Sequence, residues 1–552
     1  MNPFVYYTSG AALALVATSA LYFSESKADN KNDVSVPSFV PASTIGEDGK
    51  SFHIPIPKAA LKSPKDASKV SFSDIKPESI TASCIACHIN NDIDLSPPAL
   101  RTADGKKGPA YYAGGLMGTS FNKSSKAMEQ PSPAVIEAGL EDQFLLGEAI
   151  FEGIYVADPH VPFGGLGPTY IKSSCISCHP GYGRARRTDR FKEEYGNGYL
   201  AFVHNPDGSP VKGYTKMLQL HAVAPFKPYA KDVTITWNQF TDKYDNKYPD
   251  GTPYNHGKKT EGTLIYPTAD IVEPLIPLPK DYRVSLESTI GIYGTGLLDA
   301  IKDEDIIAEE KRQASIQGPV KGKAGEWIYE PYSGEKRLGK FDWHCGRATL
   351  GNGPGVNGLW NTTNLTREDR PELYMTQEWL DKQKEMGIDV SSLTEKQAVE
   401  VKQTDMEDFM VWHRGLAAPA ARNLEDPEVQ RGRKIFNDIG CASCHKPEWK
   451  TGEYPHMPAY ANQIIRPYTD MLQHDMGEEN RGIGLTYRTP PLWGRGLMIK
   501  TADHTDMFHD LRARDFEEAI LWHFGESEFA RERFRHLPVE DREALIKFIK
   551  AI

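Results

Sequence analysis

The chain carries the pentapeptide Cys-x-x-Cys-His three times: Cys84-Ile-Ala-Cys87-His88, Cys175-Ile-Ser-Cys178-His179 and Cys441-Ala-Ser-Cys444-His445. Six of its seven cysteines are used in this way. Two cysteines three apart on one turn reach both vinyl edges of a porphyrin, and the next residue then sits under the iron. Zinc clips and disulfides place no such demand on the residue after each second cysteine. The pattern therefore predicts three covalently bound c-type haems, attached through Cys84, Cys87, Cys175, Cys178, Cys441 and Cys444. His88, His179 and His445 are the expected proximal iron ligands.

Covalent haem attachment takes place outside the cytoplasm, so an export signal is expected. Residues 1–28 supply one: an apolar run from Ala11 to Phe23, then Ser26-Lys27-Ala28 as a small-x-small cleavage site. The run is short for a membrane span of about 20 residues. Cleavage gives a periplasmic protein, and the membrane is a partner only if this segment stays uncleaved. The net charge of −11 argues against nucleic acid and suits a small redox protein as electron donor or acceptor. With 39% hydrophobic and 25% charged residues, the chain can bury a sizeable core.

Composition and periodicity divide the chain into a signal (1–28), a Pro- and Ser-rich linker (29–74), an N-terminal haem module (75–131), a central haem domain (132–425) and a C-terminal domain (426–552). Met117, Met128, His53 and His160 are the candidates for a second ligand to the first haem. Helical spacing begins near Ala134. Gly147-Glu-Ala-Ile-Phe151 is echoed by Gly432-Arg-Lys-Ile-Phe436, an internal repeat of a helix that packs on a haem. Gly183-Arg-Ala-Arg-Arg187 is either a source of guanidinium donors to haem propionates or a basic loop in water. From Tyr199 to Tyr282, runs such as Val233-Thr-Ile-Thr-Trp237 predict inserted short strands. Helical periodicity returns over Pro371–Glu385, Thr394–His413 and Val539–Ile552.

Several ordered motifs give the chain a resemblance to the bacterial di-haem oxidoreductase family of peroxidase-like proteins. They are the stretch from Gly294 to Ile306, Pro467 to Gly477, Arg488-Thr-Pro-Pro-Leu-Trp-Gly494 and Ala519-Ile-Leu-Trp-His523. The likeness extends from about residue 135 and is strongest after Gly432. The haem at Cys84 lies outside it, as an addition. The family is in turn similar to di-haem cytochrome c peroxidases. That likeness implies cytochrome-c-like helical haem domains with long loops and a small inserted β-containing region, a mainly α fold. It also implies one reactive haem, at His179, and one relay haem, at His445, with His523 as the second ligand of the latter.

His474 and Asp475 look like an orienting pair beside that haem. The family's usual lysine is replaced in Trp343-His344-Cys345 by an imidazole, and its acidic residue is missing around Asn361-Thr-Thr-Asn364. Leu511 stands where the family prefers glycine. Peroxide cleavage needs a group to move a proton between the two oxygens. His344 is the candidate base or a cap on the second iron, Trp343 a candidate electron path, and Cys345 a buried small hydrophobe. Three functions stay open: a peroxidase-like enzyme acting on hydrogen peroxide, a tri-haem electron carrier with no substrate site, and a subunit docking to a larger respiratory or iron-uptake assembly.

Overall fold

The computed structural model describes residues 95–192, 196–330, 334–367, 370–394 and 399–552. The expected signal and linker, together with Cys84, Cys87, His88 and His53, lie outside the described residues.

The 12-residue helix α1 (Glu141–Glu152) has Glu141 and Asp142 in its opening turn, where they suit the helix dipole. The chain then builds two antiparallel pairs. Strand β1 (Tyr199–His204) pairs with β4 (Arg283–Ser288), and β2 (Ala230–Phe240) pairs with β3 (Leu264–Pro274) over almost its whole length. Two helices follow, α2 (Thr295–Asp299) and α3 (Asp303–Ser315), and then α4 (Gln403–Gly415), which ends on His413 and Arg414. Helix α5 (Pro427–Asp438) starts with Pro427 in its first turn under an Asp426 cap, and α6 (Phe516–Leu521) starts under Asp515. The chain closes with α7 (Val539–Ala551).

Two crossed helix pairs organise the cores. α1 packs on α4, and α5 packs on α7. Each crossing is set by a glycine: a Cβ at Gly147 would run into the Asp408 carbonyl and Trp412, and one at Gly432 into the Ala544 carbonyl and Phe548. The repeated Gly-x-x-x-Phe is thus a close-approach device, with Phe151 and Phe436 four residues on, each buried in its own core. Residues 95–131 strap across both cores, Ala127 and Met128 entering the first and Ala110 and Tyr111 the second.

The expectation of a mainly α fold is corrected by the structure, which is 31% helix and 18% strand in several small sheets. The reason is physical. Long connections still have to satisfy their backbone groups, and here they do so by pairing: Thr119–Ser120 with Ala418–Pro419, Gln473–Asp475 with Thr486–Arg488, and Trp327–Glu330 with Glu335–Leu338. The 199–290 region is also more than an appendage. Its Asp242 forms a buried ion pair with Arg531, and Tyr254 donates to Asp242 (2.8 Å) while accepting from Arg535 (2.6 Å). Among the described residues no helix is long and apolar enough to cross a membrane.

Candidate haem site

Gly440, left-handed at φ 96°, turns the chain out of α5 into a short 3-10 turn at Cys441–Ser443. This turn presents His445, whose Nδ1 bonds the Tyr468 carbonyl at 3.0 Å. Across from it stands His523, just beyond the end of α6, with Nδ1 on the Ala519 carbonyl at 2.6 Å. The two rings are 6.4 Å apart, centre to centre. Two imidazoles ligating one metal from opposite sides, each nitrogen about 2 Å from it, would have centres a little over about 6 Å apart. Each ring has its Nδ1 fixed by a carbonyl, the usual arrangement for a metal-ligating histidine that uses Nε2. Burial also favours the neutral, ligating form, lowering His445 to about 4 and His523 below its ordinary value.

The space around these rings is a cavity of about 1270 Å³ counted to its open mouth, bordered by Cys441, Cys444 and apolar groups such as Phe436, Met507, Phe529 and Ile549. Arg184, Arg488, Arg495 and Arg531 also border it. Arg184 Nε and Arg495 Nη1 are buried without a hydrogen-bond partner. Burial, reinforced by the Arg495 cation, pushes Arg184 down to about 9. Buried cations without anions call for carboxylates, so the donor set fits a haem with its two propionates.

His474 borders the same cavity but is committed elsewhere, with Nε2 on Asp470 and Nδ1 on Glu526, both at 2.8 Å. Asp475 accepts from the Gly477 amide. Trp343 also borders the cavity. Its Nε1 donates to the Ser288 carbonyl at 2.7 Å, and the Arg184 guanidinium lies 5.2 Å from its ring centre. Because Arg184 belongs to the loop after His179, this contact joins the two Cys-x-x-Cys-His regions. His344 turns away. Its Nε2 meets Glu287 at 2.5 Å and its Nδ1 the Thr486 carbonyl at 3.1 Å. Cys345 is buried with its thiol pushed up to about 12 by desolvation. Leu511 holds φ 62°, the left-handed conformation that glycine adopts without cost.

Around the second motif, His179 bonds the Gly183 carbonyl through Nδ1 at 3.2 Å, and burial lowers it to about 4. Phe151 lies 6.0 Å from its ring and 4.5 Å from Trp412. Beside Trp412, His413 is buried with neither ring nitrogen partnered. Burial first, then the field of His179, lowers it to about 3. Tyr182, three residues after His179, donates to Glu148 (2.7 Å) and Glu152 (2.9 Å), and burial lifts Glu148 to about 7. The Ile171 and Lys172 amides bond the Thr362 carbonyl, while Asn364 is held to Thr169. Met128 is buried beside Gly183, its sulfur accepting from Thr501; Met117 is half-buried and His160 exposed.

A family model described as "Di-haem oxidoreductase, putative peroxidase" matches residues 275–552. The chain belongs to this di-haem oxidoreductase family. No curated protein and no solved structure matches it. In this di-haem oxidoreductase the matched half takes in Cys441–His445 and His523, while Cys175–His179 precedes it. Sequence reasoning missed Arg488, Arg495 and Arg531, His413, and the Glu148–Tyr182–Glu152 cluster. Arg488 and Arg495 flank the apolar Pro490-Pro-Leu-Trp-Gly494 stretch, which was the available signal. The others depend on contacts that no local pattern carries.

Proposed function

We propose that this chain is an exported, periplasmic peroxidase-like oxidoreductase carrying three c-type haems, with the His445 haem as relay and the His179 haem as the reactive centre. The observation that carries the reading is the opposed pair His445 and His523, each with Nδ1 fixed by a carbonyl. Such a pair would hold a haem iron through both imidazoles, an arrangement that suits electron transfer and not substrate binding. Haem at the other site supplies the redox chemistry toward hydrogen peroxide.

The protein's own groups do the rest. Arg184 and Arg495, which border the cavity with buried nitrogens unpartnered, would hold propionates at the His445 site. Trp343, under Arg184 and pinned by the Ser288 carbonyl, offers an aromatic step between the two motif regions. Burial holds His179 neutral, as an iron ligand must be. A small redox protein delivers or accepts the electrons.

The test is the resting ferric protein. One high-spin component is expected beside low-spin ones. His523→Ala should lose one low-spin signal while all haems stay attached. Partly reduced protein should be oxidised by hydrogen peroxide. If every haem is low-spin and inert in both redox states, the enzyme reading fails and the chain is an electron carrier.

A further inference from the structure

A column of rings runs from the His445 cavity to solvent. Phe508 meets His523 edge-on at 5.7 Å between centres. The next residue, His509, lies 6.4 Å from the Phe508 ring and stacks on Tyr487 at 4.0 Å, with 13° between the planes. Tyr487 in turn lies 5.2 Å from His344, whose side chain is 30% exposed and bonded to the Thr486 carbonyl. Phe508, His509 and Tyr487 all border the cavity. We propose that this column is the electron-entry route to the His445 haem, with the His344–Thr486 surface as the port for a reduced one-electron carrier protein. The proposal rests on the reading of that haem as the relay.

Local structure holds these rings in line. In the short strand Thr486–Arg488, alternation turns Thr486 out to solvent and Tyr487 in. Phe508 holds φ 75°, a left-handed conformation that a bulky residue rarely takes, and its carbonyl is gripped by the Arg184 guanidinium. The His509 carbonyl accepts from the Ser288 amide at 2.5 Å. The His509 ring is buried, and Asp510 stands 3.7 Å from its Nε2, beyond hydrogen-bond reach. Stacking on Tyr487, and not hydrogen bonding, sets this ring.

The route carries an electron and no proton. Tyr487 donates its phenol hydrogen to the Gly484 carbonyl at 3.3 Å. A carbonyl is a hydrogen-bond acceptor and no base, so the phenol keeps its proton and the ring serves as close contact without itself being oxidised. One electron passes from the carrier, which is oxidised, to the ferric haem, which is reduced, and no bond forms or breaks. Trp343 meets His509 edge-on at 6.4 Å and lies under Arg184. His509 thus stands where the surface route joins the step toward the loop after His179.

The test uses the full holoprotein with Thr486→Cys labelled by a thiol-reactive ruthenium photosensitiser, which stands in for the carrier. A flash injects one electron, and the rate is read from loss of the low-spin ferric signal that His523→Ala removes. Tyr487→Leu, which takes a ring out of the middle of the column, should slow this reduction several-fold with haem count and midpoint potentials unchanged. Tyr487→Phe keeps the ring and should keep the parent rate. The same label on Thr236→Cys, an exposed position of β2, should give a rate that Tyr487→Leu does not alter. Equal rates in the parent and Tyr487→Leu overturn the route, as does equal slowing by both Tyr487 variants or from both label sites. A low-spin signal that survives His523→Ala is a separate failure, that of the relay reading itself.

Discussion

His344 occupies the position where a base or an iron cap was expected, yet both of its nitrogens are spent on Glu287 and Thr486. The informative perturbation is His344→Leu, which strands the buried Glu287 carboxylate. Breaking a buried pair by removing one partner costs about 3–5 kcal/mol. The His344 side chain is 30% exposed, so solvent reaches one end of the pair and about 2 kcal/mol is the expected loss.

The loss should depend on pH with a defined sign. Burial opposes the charge on His344, but the hydrogen bond and charge of Glu287 outweigh it and hold the imidazole above its ordinary value. A group raised in the folded state contributes its stability in full below the unfolded value, near 6.5, and loses it as pH climbs through the folded value. The deficit of the variant should therefore be largest near pH ~6 and smaller near pH ~9. Denaturant titrations of both proteins at the two pH values, followed by circular dichroism and by the Soret band, measure it. A deficit that is constant or grows with pH would refute the ion-pair account. A new high-spin band in the folded variant would refute it differently, by showing that His344 acts on an iron.

Two further outcomes follow from the packing. Cys345, buried and with its thiol pushed up to about 12, should resist thiol reagents in the native protein and react only on unfolding; labelling kinetics with and without denaturant decide this. Gly432→Val would drive a side chain into the Ala544 carbonyl and Phe548 at the α5–α7 crossing; overpacking of this kind costs about 1–3 kcal/mol, and a lowered Tm with poorer haem retention is the readout.

The candidate haem site was partly legible: His445, marked by its motif, and His523 face each other across one cavity. Cys441-x-x-Cys444-His445 declares itself, and His523 stands out as an imidazole on an apolar helical stretch. The fold class was less legible. Strands such as Thr119–Ser120 and Ala418–Pro419 are two residues long and pair across some 300 positions, so no local periodicity marks them. The β2–β3 hairpin did show alternation, but not that its connection buries Asp242 against Arg531. Leu511 shows the converse: it holds φ 62°, a left-handed conformation that its side chain gives no hint of. For His344, residue type alone cannot show that Glu287 and the Thr486 carbonyl engage both ring nitrogens.

The repeated helix crossing gives a frame for comparing the two described haem regions. Gly147 abuts Asp408 and Trp412, as Gly432 abuts Ala544 and Phe548, so Trp412 matches Phe548 and His413 matches Ile549. Ile549 is an apolar wall of the His445 cavity. His413 puts a buried imidazole with two unsatisfied nitrogens at the equivalent place, within the field of His179. An unpaired buried polar group costs about 1–3 kcal/mol, a cost that the closed region avoids by using isoleucine. The helical scaffold is therefore duplicated while the side chains diverge: one region sets His523 opposite its histidine, and the other keeps polar groups, His413 and the Glu148–Tyr182 pair, around its own. The proposed division into relay and reactive centre rests on that asymmetry and not on the shared fold.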